Sequence, residues 1–503
     1  MSERIPLWVW GAALSVALCL EALLFVPFAG FNADEVMFLG PLFPPHWSAF
    51  YWDTALGRVP LMLMPYLGAT KSLAYSWVVG WLPPGPLATR LPAVLLSCVT
   101  LCLFLRLVSR VANRRTAIVA TALLAADTTF ILCTSLDWAP AAFQLFGWVL
   151  VGYLATRAAE RPSAAILAAS GLLAGLLVWN KAVFLFSLAG ALGAAGIVWR
   201  DRIRRLNLRT LLIPAGGFAL GALPLVLYNA SSGMGTWRAR EALESYSPLF
   251  KIRAAISTLD GSIFNGYMFA KSPGLFPRHD LLAVALLAAA LVLPWAAADL
   301  RTRRLLHFAW MAALFTFLLM VPFRNAGGGP QHIVLLYPLP HLILALTFVP
   351  AAGAAAWLRK TGTGVLAAVL CAGMLLTLLY RMQISANGFT VYWTDAIYGL
   401  DRALREQQVT DVVAADWGIE EPLRALSKGG IRIVPDDQIT GAALRQKKLR
   451  IVTHSAAFTL YPQRFQGLEQ SAHAAGAVLV PVAHISDAQG RVMFDILSVD
   501  AAP

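Results

Sequence analysis

The chain has 503 residues, of which 58% are apolar and 13% are charged, and its mean hydropathy is +0.65. Soluble domains contain roughly 45–50% apolar and about 25% charged residues, so this composition excludes a soluble protein and indicates an integral membrane protein. The net charge of +13 does not indicate a nucleic-acid partner, because the basic residues form short clusters between apolar runs, as the orientation of a multi-span protein requires.

Apolar runs long enough to cross a bilayer recur through the first 381 residues. A hydrocarbon core of about 30 Å needs about 20 apolar residues per helix, and only a helix or a closed barrel satisfies its backbone there. By this measure the sequence predicts about eleven spans. They lie near residues 7–29, 91–109, 116–134, 139–156, 163–179, 182–199, 210–229, 281–298, 305–323, 333–356 and 363–381. The apolar region of the first span is too long for a signal peptide, so we expect an uncleaved anchor.

The short loops predict how these spans are oriented, because lysine and arginine collect on the cytoplasmic side of a membrane. Basic clusters, such as those at 110–115, 157–161, 199–209 and 300–304, occur in every second loop. The N-terminus is therefore predicted to be cytoplasmic. The other loops, and everything after Arg381, are predicted to lie on the opposite side.

The first outer loop, residues 30–90, is long and rich in aromatic residues and prolines, but it contains no clear span. Tryptophan and tyrosine favour the boundary between lipid and water. We therefore expect interfacial helices in this loop, which would form a platform beside the acids at its start.

The sequence changes character after about residue 383. Apolar runs shorten to strand length and alternate with polar, helix-like segments. The five runs are VTDVVAAD (409–416), IRIVPD (431–436), LRIVTH (449–454), AVLVPVA (477–483) and VMFDILSV (492–499). This alternation predicts a membrane domain over residues 1–382, followed by a small extracytoplasmic α/β domain over residues 383–503. Asp416, His454 and His484 stand at strand ends, and we interpret them as solvated surface residues.

Acidic residues mark two of the outer turns. Asp34 and Glu35 directly follow the first span, and Asp137 ends the third. An isolated acid in such a place often only caps a helix or faces water. Asp127 lies inside the third predicted span, where an ionisable group is costly and is a functional candidate by default. A protonated Asp127 that is hydrogen-bonded within the bundle is an equal alternative.

Lys181 marks the next outer turn, between two apolar spans with almost no loop. A lysine in this position can extend its ammonium group to the membrane surface without a further role. We favour the alternative that it binds an anion, because a phosphate on a lipid carrier would need a cation at the outer face.

The last outer turn before the tail, RNAGGGPQH, contains Arg324 and His332, and Tyr337 follows in the next span. Pro338 and Pro340 would break helix hydrogen bonds and leave carbonyl groups free inside the membrane. The region is therefore either a tight turn before a kinked helix or the wall of a pocket.

These residues, in this order on one predicted face of the membrane, resemble the GT-C glycosyltransferases, in particular the branch with protein O-mannosyltransferases and lipid A aminoarabinose transferase. The resemblance covers roughly residues 1–380. It rests on Asp34 and Glu35, Asp137 in SLDWAP, Lys181 in WNKAVF, and Tyr337 in LLYPLPHLILA. The FNA context before the acidic pair departs from the tyrosine-rich context of many relatives, and the tail matches no domain that would identify an acceptor.

The resemblance implies a polyprenyl-phosphate sugar as the donor and a lipid, glycan or protein on the outer face as the acceptor. Asp34 and Glu35 would be the catalytic acids, with Asp34 as the general base that deprotonates the acceptor hydroxyl. The residues expected to bind the donor phosphate or the substrate are Asp137, Lys181, Arg324, His332 and Tyr337. Lys181 or Arg324 would also stabilise the departing phosphate.

No cofactor is required by this interpretation, although some relatives hold a divalent cation. Asp34, Glu35 and His46 are the residues that would hold it here, and Asp53 and His332 are further ligands to consider. Their spacing in the sequence identifies no metal site.

Two other functions stay open. A transporter or flippase of lipid-linked saccharides would have charges and broken helices near the midplane, often in repeated halves. A non-catalytic envelope assembly protein would use the acids only structurally. The glycosyltransferase interpretation places the chain in the inner membrane of a bacterium, with the tail in the periplasm.

Overall fold

The fold comes from a computed structural model, which describes residues 5–55, 57–82, 85–239, 245–269, 299–349, 355–435 and 449–501. The predicted span at 281–298 lies outside the described residues. The described part is mainly helical, and most of its larger helices fall where the sequence predicts spans.

Long apolar helices form the body of the molecule. Within the described residues, four helices are long and apolar enough to cross a membrane. They are Pro86–Val111, Leu208–Ser231, Leu300–Met320 and Ala356–Asn387. Shorter apolar helices span Leu7–Leu23, Ala164–Asn180 and Phe184–Val198, and a further helix spans Ala141–Glu160. The fold is that of a polytopic membrane protein.

Two of the predicted spans are each divided by a sharp bend. Arg114–Ala125 and Thr128–Ser135 meet at 59°, and Pro330–Leu336 and Leu339–Phe348 meet at 46°. Asp127 accounts for the first break, because its side chain accepts a hydrogen bond of 2.7 Å from the N–H group of Phe130 and so caps the second helix.

The second break follows from proline. Pro338 and Pro340 have no N–H group to donate to a preceding turn, and the helix restarts at Leu339. Both breaks leave polar backbone groups inside the helical body, where they need partners.

Close helix packing depends on glycine where Ala164–Asn180 meets Leu208–Ser231. A Cβ atom on Gly171 would lie 2.0 Å from the carbonyl oxygen of Pro214, and one on Gly221 would lie 2.2 Å from that of Leu172. Small residues let helix backbones approach in this way in membrane proteins. The contact fixes the C-terminal end of Ala164–Asn180, after which Lys181 follows.

The first outer loop contains more regular structure than expected. It has a short helix, Ala33–Val36, a 3-10 helix, Met37–Leu42, and a longer helix, Thr70–Trp81. Between them lies an antiparallel sheet of β1 (Phe50–Thr54), β2 (Gly57–Met64) and β3 (Leu67–Gly68), which the sequence interpretation did not include. Trp77 and Trp81 on the longer helix are 77% and 86% exposed, as an interfacial helix requires.

The tail forms a five-stranded mixed sheet with helices. Its strands are β4 (Asp411–Ala414), β5 (Arg432–Ile433), β6 (Leu449–His454), β7 (Ala477–Ser486) and β8 (Val492–Ala501), in the order β5-β4-β6-β8-β7. Strand β4 runs parallel to β5 and β6, whereas β8 runs antiparallel to β6 and β7. The helices are Ala396–Glu406, Glu420–Leu426 and Pro462–Ala474. Each of the five predicted strand segments overlaps one of these strands.

The interpretation of two tail residues as solvated was wrong. Asp416 and His454 are buried, and His454 Nδ1 lies 3.0 Å from Asp416 Oδ2. Asp416 also accepts hydrogen bonds from the hydroxyl group of Thr459 and from the backbone N–H groups of Leu460 and Tyr461. Burial alone would raise the pKa of Asp416, but these bonds and His454 lower it to about 2. The pair fixes the loop after β6, and His484 is exposed beside Asp495.

Candidate active site

Asp34 lies in the short helix Ala33–Val36, where local capping fixes its backbone. Asn32 accepts a hydrogen bond of 2.8 Å from the N–H group of Asp34, and the side chain of Glu35 reaches back to Asn32. This is a capping box, which determines how the chain enters the short helix. The Nε1–H group of Trp138 donates to Asp34 Oδ2 at 3.1 Å, and the Asp34 side chain stays partly exposed.

Glu35 has a different environment from its neighbour. Arg90 Nε is 2.7 Å from Glu35 Oε1, and Arg90 Nη2 is 2.9 Å from Oε2, with both side chains fully buried. Arg90 also donates to the carbonyl oxygens of Val26, Ala29 and Gly30. Bidentate pairs of this kind fix geometry as well as charge. Glu35 therefore ties the Asp34 segment to the long helix that begins at Pro86.

Asp137 also has a buried basic partner. Lys71 Nζ lies 2.7 Å from Asp137 Oδ2, both side chains are buried, and the hydroxyl group of Tyr75 donates to the same oxygen. Lys71 additionally donates to the carbonyl oxygen of Ala139 at 3.1 Å. The ion pair joins the helix Thr70–Trp81 to the turn that carries Trp138, and hence to Asp34.

Lys181 is buried on the other side of Asp34. Its Nζ donates to the carbonyl oxygen of Gln331 at 2.8 Å, and its backbone pairs with Leu67 in β3. A Cβ atom on Gly68 would lie 2.3 Å from the carbonyl oxygen of Trp179, so this strand can approach the helix end only with glycine. The unpredicted sheet thereby positions Lys181.

Burial and nearby positive charges have opposite effects on the pKa of Asp34. Burial raises the pKa of Asp34 above its usual value of 3.8, while the Trp138 hydrogen bond and the charges of Lys181 and Lys71 act in the opposite direction. Tyr66 is close enough to Asp34 that burial and this acid together raise the pKa of its phenol to about 12. The carboxyl group thus has the environment of a proton acceptor rather than that of a solvated surface acid.

Several of the buried polar atoms that have no hydrogen-bond partner in the described part of the chain lie at the same turns. They are Ser72 Oγ, Ser135 Oγ, Asp137 Oδ1, both amide atoms of Asn180, and His332 Nδ1. Buried polar groups are normally paired. Those near Lys71, Trp138 and Lys181 are available to pair with a polar ligand or with water.

Only part of the turn at 324–332 lies near Lys181. His332 is buried and close enough to Lys181 for the two to interact electrostatically, whereas the Arg324 side chain is exposed. Lys251 supports the turn from below, because its Nζ donates to the carbonyl oxygens of Val321 at 3.0 Å and of Phe323.

Tyr337 belongs to a separate polar cluster at the two helix breaks. Its hydroxyl group lies 3.3 Å from Asp127 Oδ2, and His341 Nε2 lies 3.1 Å from the same atom. Asp127 is therefore hydrogen-bonded within the bundle, as one of the two alternatives from the sequence required. The predicted pocket wall is, in this respect, a buried tie between two broken spans.

The residues considered as metal ligands are not brought together. His46 is exposed and lies 3.0 Å from the carbonyl oxygen of Pro41, Asp53 pairs with Arg58, and Glu35 pairs with Arg90. Among the described residues, no group of three or more His, Cys, Asp or Glu side chains is arranged to hold a metal ion.

Four residues of the site escaped prediction: Lys71, Arg90, Trp138 and Lys251. Lys71 and Arg90 carried a usable signal, because they are basic residues in an outer loop and at the outer end of a span, where positive charge is disfavoured. Asp137 precedes Trp138, which contacts Asp34, and the charge of Lys181 acts on Asp34. Tyr337 instead bonds to Asp127, and Arg324 is exposed.

No family model matches the sequence, and no curated protein is similar to it. Solved structures do match its fold. A structure of ArnT, the lipid A aminoarabinose transferase, from Cupriavidus metallidurans in the apo state superposes with a TM-score of 0.64 and 13% identity, covering 97% of each chain. The chain has the GT-C fold.

A second structure of that transferase, bound to undecaprenyl phosphate, matches this GT-C fold with a TM-score of 0.63 and 11% identity, again over 97% of each chain. The resemblance predicted from the sequence is confirmed at the level of fold. It extends beyond residues 1–380, because the matched length includes the tail.

Proposed function

We propose that the protein is a glycosyltransferase that moves a sugar from a polyprenyl-phosphate donor to an acceptor on the extracytoplasmic face of the membrane. The observation that carries this proposal is a partly exposed Asp34 within electrostatic range of buried Lys181, in a GT-C fold. ArnT, which has that fold, has been solved with undecaprenyl phosphate bound. An acid beside a cation suits a reaction that removes a proton at one end and releases a phosphate at the other.

In this mechanism Asp34 accepts the proton of an acceptor hydroxyl group as its oxygen attacks the anomeric carbon of the sugar. The bond between that carbon and the phosphate oxygen breaks, and polyprenyl phosphate leaves with the electron pair. Lys181 stabilises the charge that develops on the phosphate, with His332 beside it. A buried cation is effective here because water does not screen it.

The other acids have supporting roles in the proposal. Glu35, held by Arg90, and Asp137, held by Lys71, fix the backbone on either side of Asp34 and Trp138. Arg324 lies exposed at the outer surface, where it is placed to meet the donor phosphate as it arrives from the lipid. Tyr337 supports the helix breaks below the site.

We assign the protein to a bacterial inner membrane, with the N-terminus in the cytoplasm and residues 383–503 in the periplasm. This orientation follows from the basic loops, and it puts Asp34 at the boundary where a lipid-borne donor and a polar acceptor meet. A transporter is less favoured, because Asp34 and Lys181 lie at helix ends rather than within a span.

The decisive test is sugar transfer by purified wild type and by Asp34→Asn in nanodiscs. Undecaprenyl-phosphate sugars serve as donors and a membrane extract serves as acceptor. Asp34→Asn keeps the shape of the side chain but removes the base, so we expect a loss of about 10²- to 10⁴-fold in transfer with undecaprenyl phosphate binding retained. Asp53→Asn is the matched control, since Asp53 is an exposed acid of the same outer loop.

Transfer by a folded Asp34→Asn protein at the wild-type rate would contradict the assignment of the base. Wild type that neither binds undecaprenyl phosphate nor transfers any sugar, under conditions where a known transferase succeeds, would favour the transporter or assembly protein.

A further inference from the structure

The tail holds the Asp34 segment through contacts from two of its parts. The backbone N–H group of Gly30 donates to the carbonyl oxygen of Trp393 at 2.7 Å, and the amide of Asn32 donates to that of Tyr392 at 3.1 Å. The hydroxyl group of Tyr398 donates to the carbonyl oxygen of Ala29 at 3.2 Å. Residues 392–398 therefore brace the entry to the short helix that carries Asp34.

The tail helix Glu420–Leu426 covers the same segment from another side. Ala425 packs in one apolar cluster with Phe31, Val36 and Leu39, so the helix lies directly against the chain around Asp34. A Cβ atom on Gly40 would lie 3.8 Å from an Arg424 nitrogen. Glu420 and Glu421 begin this helix, and Glu421 lies one turn before Ala425 on the same helix face.

The two acids at that end have different partners. Glu420 forms an ion pair with Arg424 one turn later. Among the residues that the structure describes, no basic side chain forms an ion pair with Glu421, which is only partly exposed. Burial, followed by the charge of Glu420, raises the pKa of Glu421 to about 7, and Asp34 contributes to the same shift. Glu421 thus lies on the face of the tail helix that packs against the Asp34 segment.

Charge divides the region around Asp34 into two ends. Lys181 and His332 lie on one side, together with the unpaired amide of Asn180 next in the chain. Asp34 and Glu421 supply acid on the side of the tail. A phosphate is attracted to the first end and repelled from the second, whereas a hydroxyl group donates well to a carboxylate. Selectivity commonly includes such a repulsive element.

We propose that Glu421 is a positioning and specificity residue: it binds a hydroxyl group of the acceptor beside Asp34 and disfavours acceptors with an anionic group next to the attacked hydroxyl. This inference rests on the proposed glycosyltransferase function and adds the class of acceptor, a neutral or cationic hydroxyl-bearing group. In this proposal a residue of the tail, rather than one of the membrane helices, binds the acceptor.

The test compares Glu421→Gln and Glu421→Asp with wild type. The control is Glu469→Gln, which makes the same change of charge at an exposed position of another tail helix. Undecaprenyl-phosphate sugars are the donors, and a titrated membrane extract is the acceptor. Loss of one hydrogen bond to a carboxylate predicts that Glu421→Gln raises the acceptor KM by about tenfold. The donor KM and kcat change by less than about twofold in the same comparison.

Glu421→Asp is expected to recover part of the acceptor affinity, and Glu469→Gln is expected to behave as wild type. Hexyl β-D-glucoside and its 6-phosphate are then used as competitors of the extract. Wild type should be inhibited more strongly by the neutral glucoside, and Glu421→Gln should reduce this preference.

The outcomes separate the two proposals. Wild type that transfers no sugar defeats the proposed function, and this inference with it. Active wild type with an unchanged acceptor KM in Glu421→Gln defeats only the role of Glu421. If the 6-phosphate competes better than the neutral glucoside, or neither competes, the proposed acceptor class is wrong.

Discussion

At the scale of single residues, the adjacent acids Asp34 and Glu35 differ in the groups that surround their carboxyl groups. Glu35 is enclosed by Arg90 and backbone groups, whereas Asp34 meets one indole N–H group and stays partly exposed. Identical carboxyl groups often acquire different roles through their environments. The sequence shows the pair, but it does not show which of the two has a guanidinium group against it.

Lys181 should control the pH dependence of transfer through its effect on Asp34. A base acts when it is deprotonated, so transfer rises as pH increases through the pKa of Asp34, which burial raises. Lys181→Met removes a positive charge that lowers this pKa, so we expect the acidic limb of kcat/KM to move to higher pH. Donor binding should also weaken.

Lys360→Met provides the control for this change, because Lys360 is exposed on a helix that starts at the predicted cytoplasmic face. Its pH profile should match wild type. An acidic limb that stays in place in Lys181→Met, or moves to lower pH, would show that Lys181 does not act on the group that titrates.

At the scale of elements, the Asp34 segment depends on close backbone contact with the tail. A Cβ atom on Gly30 would lie 1.8 Å from the carbonyl oxygen of Thr394, so nothing larger than hydrogen fits without displacing one of the two chains. The contact explains why a glycine directly precedes FNADEV in the sequence.

Gly30→Ala is therefore expected to destabilise the protein by about 1–3 kcal/mol, as overpacking does. Displacement of Asp34 should also lower transfer by at least about tenfold. Tryptophan fluorescence during thermal unfolding in detergent measures the first effect, and the nanodisc assay measures the second. Gly80→Ala is the control, since a Cβ atom there meets nothing within 4 Å and alanine favours the helix. Equal behaviour of the two variants would argue against the contact.

Elements with a strong local signal were predictable, and those made by distant pairing were not. Apolar runs of span length and the five strands of the tail follow from hydrophobic periodicity. The sheet β1–β2–β3 has short strands that gain stability from pairing with one another and with Lys181. The pairs Glu35–Arg90 and Asp416–His454 join residues far apart in sequence, so local pattern contains no signal for them.

At the scale of the whole molecule, the proposed orientation puts the tail and the Asp34 loop on the same side of the membrane. A maleimide that cannot cross membranes tests this, with Gln466→Cys in the exposed face of a tail helix and Arg205→Cys in a predicted cytoplasmic loop. We expect labelling of the first in intact spheroplasts and of the second only after lysis. Wild type, with its own cysteines in apolar helices, gives the background, and the reverse pattern would invert the topology.

The bracing of residues 29–32 by residues 392–398 has a consequence for biosynthesis. Asn32 and its partner Tyr392 are 360 residues apart in the chain, which at about 5–20 residues per second corresponds to roughly 20 to 70 s of translation. The segment with Asp34 therefore leaves the ribosome long before the chain that holds it in place. A nascent or prematurely terminated chain would lack an ordered Asp34, the proposed base, so the proposed sugar transfer would begin only when synthesis is nearly finished.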